Sequence, residues 1–277
     1  MSTSVCERVT ILNRRELVRG YVRLELSCEP LARSIAPGQF ITIGCGDPRE
    51  MFLRRPFSLH RWMRDDGGNP VGVEILFHAK GRGTRWLAGL DPGDSVDIMG
   101  PLGTGFRYPT ETGSAALIVA GGIGVAPLPA FIERLHEQGH HVTVLLGARS
   151  ADGLLCEKEL RALGAEVEIA TEDGSRGRRG VVSHLAEEKL AEGEPTVVYA
   201  CGPGPMLAAV AEQAAARNIT CQVSLEAAMG CGVGACMGCV VPAADGGRRR
   251  VCTEGPVFDA NEIDWPRYVD VVRRAGL

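Results

Sequence analysis

The chain has 277 residues, 45% of them hydrophobic, and a formal net charge of −4. This length predicts two domains, or two with a small appendage, around a sizeable core. A chain with this net negative charge is not expected to bind nucleic acid or an anionic membrane. The sequence shows neither a membrane-spanning apolar run nor a signal-peptide core, so we expect a cytoplasmic protein.

The first hundred residues alternate short apolar segments with turns. Segments such as Tyr21–Cys28 and Val71–His78 are separated by Pro-Gly, Asp-Pro and Asp-Gly pairs, which is the pattern of short antiparallel strands in a barrel. Only Thr84–Leu90 looks helical, and it directly follows a Gly-Arg-Gly turn. We therefore predict an antiparallel β-barrel domain over residues 1–108.

Two segments of this domain carry groups that suit a phosphorylated, planar ligand. The run Arg54-Arg55-Pro56-Phe57-Ser58 places guanidinium groups and a hydroxyl on a stiff extended segment, and we select Arg55 as the ligand by its offset from Ser58. Gly83-Thr84 opens the short helix, whose first amides favour an anion. Taken singly, the first segment could be a solvated strand edge and the second an ordinary turn.

Beyond Gly113 the pattern changes to strands that alternate with helices. The apolar run Ala115–Ala120 is followed by a glycine-rich turn and an amphipathic stretch, and three further strand–helix pairs lead to a last strand at Thr220–Leu225. This alternation predicts a parallel α/β domain over residues 112–222, with ligands bound at the carboxyl ends of its strands.

Two turns in this domain could approach a nucleotide. Gly121-Gly122-Ile123-Gly124 fits neither G-x-G-x-x-G nor a P-loop, but its glycines allow a close approach to a pyrophosphate. Cys201-Gly202-Pro203 leaves the Cys201 thiol at a strand tip, where it could simply be a small buried residue. NADH and NADPH stay open, because Arg149 after the second strand could bind a 2′-phosphate or be an ordinary surface residue.

The most specific motif lies near the C-terminus. Cys231, Cys236, Cys239 and Cys252 are spaced C-x4-C-x2-C-x12-C, which is the plant-type [2Fe–2S] arrangement. The intervening glycines let backbone amides approach the sulfurs of a cluster. A four-cysteine zinc site is the main alternative, although zinc ribbons usually show two C-x2-C pairs and this segment has one; four buried free cysteines are the other. We predict a small [2Fe–2S] module over residues 223–277.

With these motifs in this order, the chain resembles the ferredoxin-reductase superfamily. Over nearly its whole length it is similar to the electron-transfer (iron–sulfur flavoprotein) subunits of two-subunit, NAD-linked dihydroorotate dehydrogenases. The matching segments are RPFS, GRGT, GGIGVAPL, TEDGS, CGPGPML and MGCGVGACMGC.

The resemblance implies FAD, a [2Fe–2S] cluster and NAD as cofactors, with the four cysteines above as cluster ligands. The FAD contacts that it implies are Arg55, Pro56, Phe57, Ser58, Leu76, Phe77, His78, Gly83 and Thr84, although His78 could equally face outward from its strand. The nucleotide contacts that it implies are Gly121, Gly122, Gly124, Gly202 and Pro203, with Cys201 near the hydride path.

The resemblance also implies a function and a partner. A nicotinamide gives two electrons at once and a [2Fe–2S] cluster takes one, so a flavin between them has a physical purpose. The sequence shows no acid–base pair or pocket for an organic substrate. The implied activity is that of an NAD-linked diaphorase subunit, and the implied partner is an FMN-containing dihydroorotate dehydrogenase catalytic subunit, with two copies of each in a heterotetramer.

Two alternatives stay open. Sister subunits that link NAD(P)H to ferredoxin, a hydrogenase or polysulfide reduction share nearly every motif. Oxygenase reductases share the first two domains but need a complete ferredoxin domain, for which residues 223–277 are too few. The alternative from another class is a zinc-binding regulatory module with vestigial flavin and nucleotide sites.

Overall fold

The computed structural model describes residues 4–193 and 195–276. In that part of the chain the strands form two seven-stranded sheets and one two-stranded hairpin. None of the helices in those ranges has the length and apolar character needed to span a bilayer.

The first sheet is antiparallel throughout and runs in the order β4-β3-β7-β1-β2-β6-β5. Its strands are β1 (Val5–Val18), β2 (Tyr21–Ser27), β3 (Phe40–Ile43), β4 (Arg55–Ser58), β5 (Arg61–Arg64), β6 (Pro70–His78) and β7 (Ser95–Leu102), with helices α1 (Glu29–Ser34) and α2 (Arg82–Ala88) in the connections.

The alternation of side chains explains why this sheet encloses a core. Along β2, Val22, Leu24 and Leu26 are buried while the residues between them stay partly exposed, as the period of two in a strand requires. The sheet curls into a half-barrel, so that Phe57 on β4 meets Phe77 on β6 with ring centroids 5.2 Å apart.

The second sheet has six parallel strands in the order β11-β10-β9-β8-β12-β13, followed by the antiparallel β16. Its strands are β8 (Ala115–Gly121), β9 (His141–Ala148), β10 (Glu166–Thr171), β11 (Arg178–Arg179), β12 (Val197–Cys201), β13 (Thr220–Ser224) and β16 (Val257–Asp259). Its helices are α3 (Leu128–Glu137), α4 (Glu157–Ala162), α5 (Val182–Glu192) and α6 (Gly204–Ala215), and a 3₁₀ turn spans Gly122–Val125.

The strand order fixes where a ligand can enter. The chain leaves β8 toward β9 on one side and later returns to β12 on the other side of β8. A crevice opens at such a reversal, beyond the carboxyl ends of the two strands. Here those ends are Gly121 and Cys201, the first residues of the two predicted nucleotide turns.

The C-terminal segment is joined closely to the nucleotide sheet. It contains the hairpin β14 (Val240–Pro242) and β15 (Arg248–Arg250), strand β16 of the second sheet, and helix α7 (Trp265–Ala275), which packs on α6. The boundary that we draw at residue 222 falls inside β13, and the division into three units stays a prediction.

Candidate functional site

A cavity of about 310 Å³ lies between the half-barrel and the carboxyl ends of the parallel strands. It brings together residues that are far apart in the sequence but that we predict to bind FAD or the nicotinamide. The predicted residues that line it are Arg55, Pro56, Phe57, Ser58, Leu76, Phe77, His78, Thr84, Gly124 and Cys201.

The other predicted glycines do not line the cavity but allow the segments around it to pack closely. A Cβ atom on Gly83 would lie 3.2 Å from Nε of Arg55, so glycine lets the first turn of α2 approach that side chain. A Cβ on Gly202 would lie 3.0 Å from the backbone nitrogen of Gly121, and one on Gly121 would lie 2.8 Å from Cδ of Pro203. The two nucleotide turns therefore touch through their backbones, with Gly122 in open space beside them.

The two neighbouring arginines have different surroundings. Arg54 donates from Nη2 to the carbonyl oxygen of Asp97 at 2.7 Å and from Nε to Oγ1 of Thr42 at 3.2 Å. Its guanidinium group is thus already bonded to neighbouring strands of the barrel. Arg55 instead lines the cavity, where its Nη1 donates to the carbonyl oxygen of Leu53. Of the two guanidinium groups, that of Arg55 is the one available to a ligand in the cavity.

Thr84 and His78 each have a structural contact as well as a place at the cavity. The hydroxyl of Thr84 accepts from the Gly81 amide at 2.9 Å, so it closes the first turn of α2. The ring of His78 stacks on that of Tyr21 with centroids 4.4 Å apart. Burial, together with the charge of Lys80, lowers the pKa of His78. A neutral, flat ring at the cavity is therefore expected near neutral pH.

Two charged residues that line the cavity are not among the predicted cofactor contacts. Lys80 lies just beyond β6 and Glu226 just beyond β13. Burial raises the pKa of Glu226, and the charge of Lys80 opposes this rise. Single charged residues after strands carry no periodic signal, so only the nearness of Lys80 to the GRGT segment, and of Glu226 to the cysteine motif, could have drawn attention to them.

Cys201 is buried at the tip of β12. Burial raises the pKa of its thiol to about 12, the charge of Glu226 adds to this rise, and a hydrogen bond from Ser224 opposes it. At neutral pH the group is therefore a protonated thiol and not a nucleophilic thiolate. Its contribution to the cavity is a small, apolar surface.

The four predicted cluster ligands converge on one glycine-rich loop. Sγ of Cys231 accepts from three backbone amides, those of Val233 at 3.4 Å, Ala235 at 3.3 Å and Cys236 at 3.3 Å. These amides, Val233 first, lower the pKa of the Cys231 thiol to about 6. Amides directed at sulfur stabilise a thiolate, which is the form that binds a metal centre.

The sulfurs are arranged as two pairs. Amides from Cys231 and Cys236 each reach the other's sulfur, at 3.5 and 3.3 Å, and the Cys252 amide reaches Sγ of Cys239 at 3.4 Å. Among the described residues, only His60, Cys156 and Glu159 bring three metal-ligating atoms within 4.8 Å of one another. A single zinc ion would hold all four sulfurs within about 3.8 Å of each other. Two pairs fit a two-iron cluster better.

Sequence comparison identifies both halves of this arrangement. Residues 226–264 match the iron-sulfur cluster binding domain of dihydroorotate dehydrogenase B, and residues 118–212 match an oxidoreductase NAD-binding domain. The "dihydroorotate dehydrogenase B (NAD(+)), electron transfer subunit" of Desulforamulus reducens is 41% identical over 246 residues, which cover 87% of this chain and 92% of that protein. The protein of the same name from Bacillus caldolyticus is 40% identical over 93% of this chain and 98% of its own length.

The chain belongs to the family of electron transfer subunits of dihydroorotate dehydrogenase B (NAD(+)). The predicted family, fold class and oxidoreductase function are thereby confirmed, as are FAD, a [2Fe–2S] cluster and NAD as its cofactors. The assignment of individual residues to these cofactors stays a prediction.

Solved structures confirm the fold. A chain of the NADH-dependent reduced ferredoxin-NADP oxidoreductase superposes with a TM-score of 0.83 and 25% identity over 96% of this chain and 93% of its own. A ferredoxin NADP+ reductase from Neisseria gonorrhoeae superposes with a TM-score of 0.64 and 18% identity, over 76% of this chain and 91% of its own. The reductase fold is thus shared beyond the family.

Proposed function

We propose that this chain carries electrons from an FMN-containing catalytic subunit, which oxidises dihydroorotate to orotate, to NAD+ in the cytoplasm. The route runs from the cysteine loop to the cavity. The proposed assembly contains two copies of each subunit. Family membership supports the partner, and the arrangement of the cavity and the cysteine loop supports the route.

The observation that carries this proposal is the short chain connection between the two sites. Ser224 to Ala227 and Met229 line the cavity, and Cys231 follows Met229 by two residues. Two residues span at most about 7 Å between Cα atoms. The same cavity is lined by the RPFS segment and by both nucleotide turns, so a flavin there would lie between a nicotinamide and the cysteine loop.

Each part of the chain has a defined task in this proposal. When bound, FAD exchanges electron pairs with a nicotinamide and single electrons with an iron–sulfur cluster. Arg55 and Ser58 hold the flavin and its phosphates, and the apolar wall with Cys201 keeps water from the nicotinamide. Gly124 allows the nucleotide turn to approach closely, and the amides around Cys231 keep its sulfur as a thiolate.

The outward side of the cysteine loop is the proposed contact with the partner. Cys236 is exposed, whereas Cys239 and Cys252 are buried. Val233 and Met237, on either side of Cys236, have 49% and 53% of their surfaces exposed, so apolar surface flanks the exposed cysteine. We propose that the catalytic subunit covers residues 229–237.

The test is reconstitution with and without the partner. The isolated chain should oxidise NADH with an artificial acceptor and should not act on dihydroorotate. Addition of the FMN-containing subunit should create dihydroorotate-dependent reduction of NAD+, and removal of the cluster should abolish this coupled activity. Dihydroorotate oxidation by the isolated chain, or full coupling without the cluster, would contradict the proposal.

The similarity to a ferredoxin-linked reductase supports a second candidate. That oxidoreductase chain covers nearly all of this chain at 25% identity. A flavin in the cavity described here could exchange electrons through the cysteine loop with ferredoxin as well as with an FMN subunit. Comparing reduction rates with ferredoxin and with the FMN subunit, each with NADH and NADPH, separates the two. Faster turnover with ferredoxin and no coupling to dihydroorotate would favour the second candidate.

A further inference from the structure

A largely buried group of charged side chains joins the half-barrel to the nucleotide domain. His60, which follows β4, is fully buried at its centre. Glu159 on α4 faces it, with its side chain 13% exposed. Arg23 and Arg61 from the barrel both pair with Glu159. None of these residues belongs to the motifs assigned above.

His60 holds the nucleotide turn at two points. Its Nδ1 lies 2.7 Å from the carbonyl oxygen of Ala126, and because a carbonyl can only accept, Nδ1 carries the proton. Its own carbonyl oxygen accepts from the Ala130 amide at 3.0 Å. Ala130 lies in the first turn of α3, where amides have no partner within the helix. One barrel residue therefore fixes both the end of the glycine-rich turn and the start of the helix behind it.

Glu159 lies beside the other nitrogen of the His60 ring. Its Oε2 lies 3.5 Å from Nε2 of His60, and Arg61 reaches its Oε1 at 3.4 Å. Burial by itself raises the pKa of Glu159, but the neighbouring His60 and the charges of Arg23 and Arg61 outweigh it and lower the pKa to about 2. The carboxylate is therefore charged at any working pH.

The same group of ligand atoms could suggest a metal ion, since His60, Cys156 and Glu159 lie within 4.8 Å of one another. The charges oppose this. Three arginines already pair with three glutamates, so a cation would add positive charge beside their guanidinium groups. The pairs are Arg23–Glu74, Arg23–Glu159, Arg61–Glu159, Arg61–Glu133 and Arg64–Glu133. Burial and the charge of Glu159 also raise the pKa of the Cys156 thiol to about 12, which leaves it protonated.

We propose that His60, oriented by Glu159, is a positioning residue for the nicotinamide: it holds the turn of residues 121–127 against the flavin side of the cavity. Ala126 and Pro127 line that cavity next to Gly124, so a shift of the turn changes the nicotinamide site directly. The inference rests on the proposed function in one respect, namely that the nicotinamide binds in this cavity.

The experiment compares four variants of the holoprotein with wild type, the fourth being Glu159→Gln. His60→Gln places its amide at the position of Nε2 and loses the donor to Ala126, whereas His60→Asn keeps a donor at the position of Nδ1. Glu133→Gln is the matched control, because Glu133 belongs to the same charged group and does not pair with His60. The two measurements are hydrogen–deuterium exchange of residues 121–130 without nucleotide, and the dissociation constant of NAD+.

In His60→Gln we expect exchange of this segment and the NAD+ dissociation constant each to rise about tenfold, while FAD and iron contents stay unchanged. His60→Asn should recover most of both effects, and Glu133→Gln should show neither. Glu159→Gln should give smaller changes in the same direction, and it decides the question if His60→Gln fails to fold.

Three outcomes would overturn the inference: wild-type exchange in both His60→Gln and Glu159→Gln, faster exchange with an unchanged NAD+ dissociation constant, or a stoichiometric zinc ion that His60→Gln loses. Neither measurement uses dihydroorotate or the partner. A wrong partner assignment would therefore leave both results unchanged.

Discussion

The contact between the two nucleotide turns can be broken by one methyl group. In Gly124→Ala the new Cβ would lie 2.2 Å from the carbonyl oxygen and 2.5 Å from the carbonyl carbon of Cys201. Ordinary contacts between non-bonded atoms need roughly 3.5 Å, so one turn must move by about 1 Å. Such overpacking costs about 1–3 kcal/mol. Because the displaced turn lines the cavity, we expect the affinity for NADH to fall by about tenfold or more.

Gly113→Asn is the matched control for this variant. Gly113 precedes β8, does not line the cavity, and has a φ of +78° with no atom within 4 Å of an added Cβ, and asparagine tolerates that left-handed conformation. The assay is titration of the flavoprotein with NADH, with FAD content measured on the same samples. We expect Gly113→Asn to bind NADH nearly as wild type does, and both variants to keep FAD. Wild-type NADH affinity in Gly124→Ala would refute the role given to the close contact of these turns.

Three further predictions concern the flavin, the cluster and pH. Arg55→Ala should weaken FAD binding by about 1.5–3 kcal/mol, so that FAD is lost on dialysis. Arg54→Ala should instead lower the melting temperature and keep FAD. The reverse pattern would contradict the assignment of Arg55 to the flavin. Cys236→Ala should lose the cluster by iron analysis and visible absorption but retain flavin, and two irons remaining would exclude Cys236 as a ligand. The pKa of Glu159 falls from 4.5 to about 2 on folding, so its contribution to stability is complete above about pH 4.5 and is lost as the pH falls toward 2. Unfolding measured by circular dichroism between about pH 4.5 and 2 should show a free energy of unfolding that depends less on pH in Glu159→Gln than in wild type. An unchanged pH dependence would argue against the buried charged group.

The elements that the sequence predicts are those with a clear period. The alternating strands of the half-barrel and the strand–helix pairs of the nucleotide domain are confirmed in outline. The sequence does not predict strand β5, because Arg-Trp-Met-Arg is short and has an arginine at each end, which is typical of an exposed loop. Those arginines instead pair with Glu133 and Glu159 on the neighbouring helices, which only the folded arrangement reveals.

The candidate site divides in the same way. Motifs with fixed spacing, such as the four cysteines and RPFS, indicate the sites from the order of residues alone. Lys80, Glu226 and His60 carry no such spacing, and their positions depend on which elements meet. Strand β16 is a further example, because its three residues join β13 by a non-local pairing that local sequence cannot indicate.

The way in which the C-terminal segment is attached bears on electron transfer between the two sites. It leaves the cavity at Met229 to reach Cys231 and returns from Cys252 to Pro256, which lines the cavity again. At the return, the Leu225 amide donates to the carbonyl oxygen of Pro256 at 2.9 Å. The cysteine loop is therefore fixed to the nucleotide sheet at both of its ends.

Because the flavin motif belongs to the half-barrel, the motion that would change the distance between flavin and cluster is movement of the barrel against the nucleotide domain. Two contacts between the barrel and the rest of the chain oppose that motion. One is the pair of hydrogen bonds that His60 makes to the turn and to α3. The other is the bond from the Thr104 amide, just beyond β7, to the carbonyl oxygen of Gly255 at 2.6 Å. Electron transfer depends steeply on distance, so under the proposed placement of FAD in the cavity these contacts would hold the flavin and the cluster at a fixed separation.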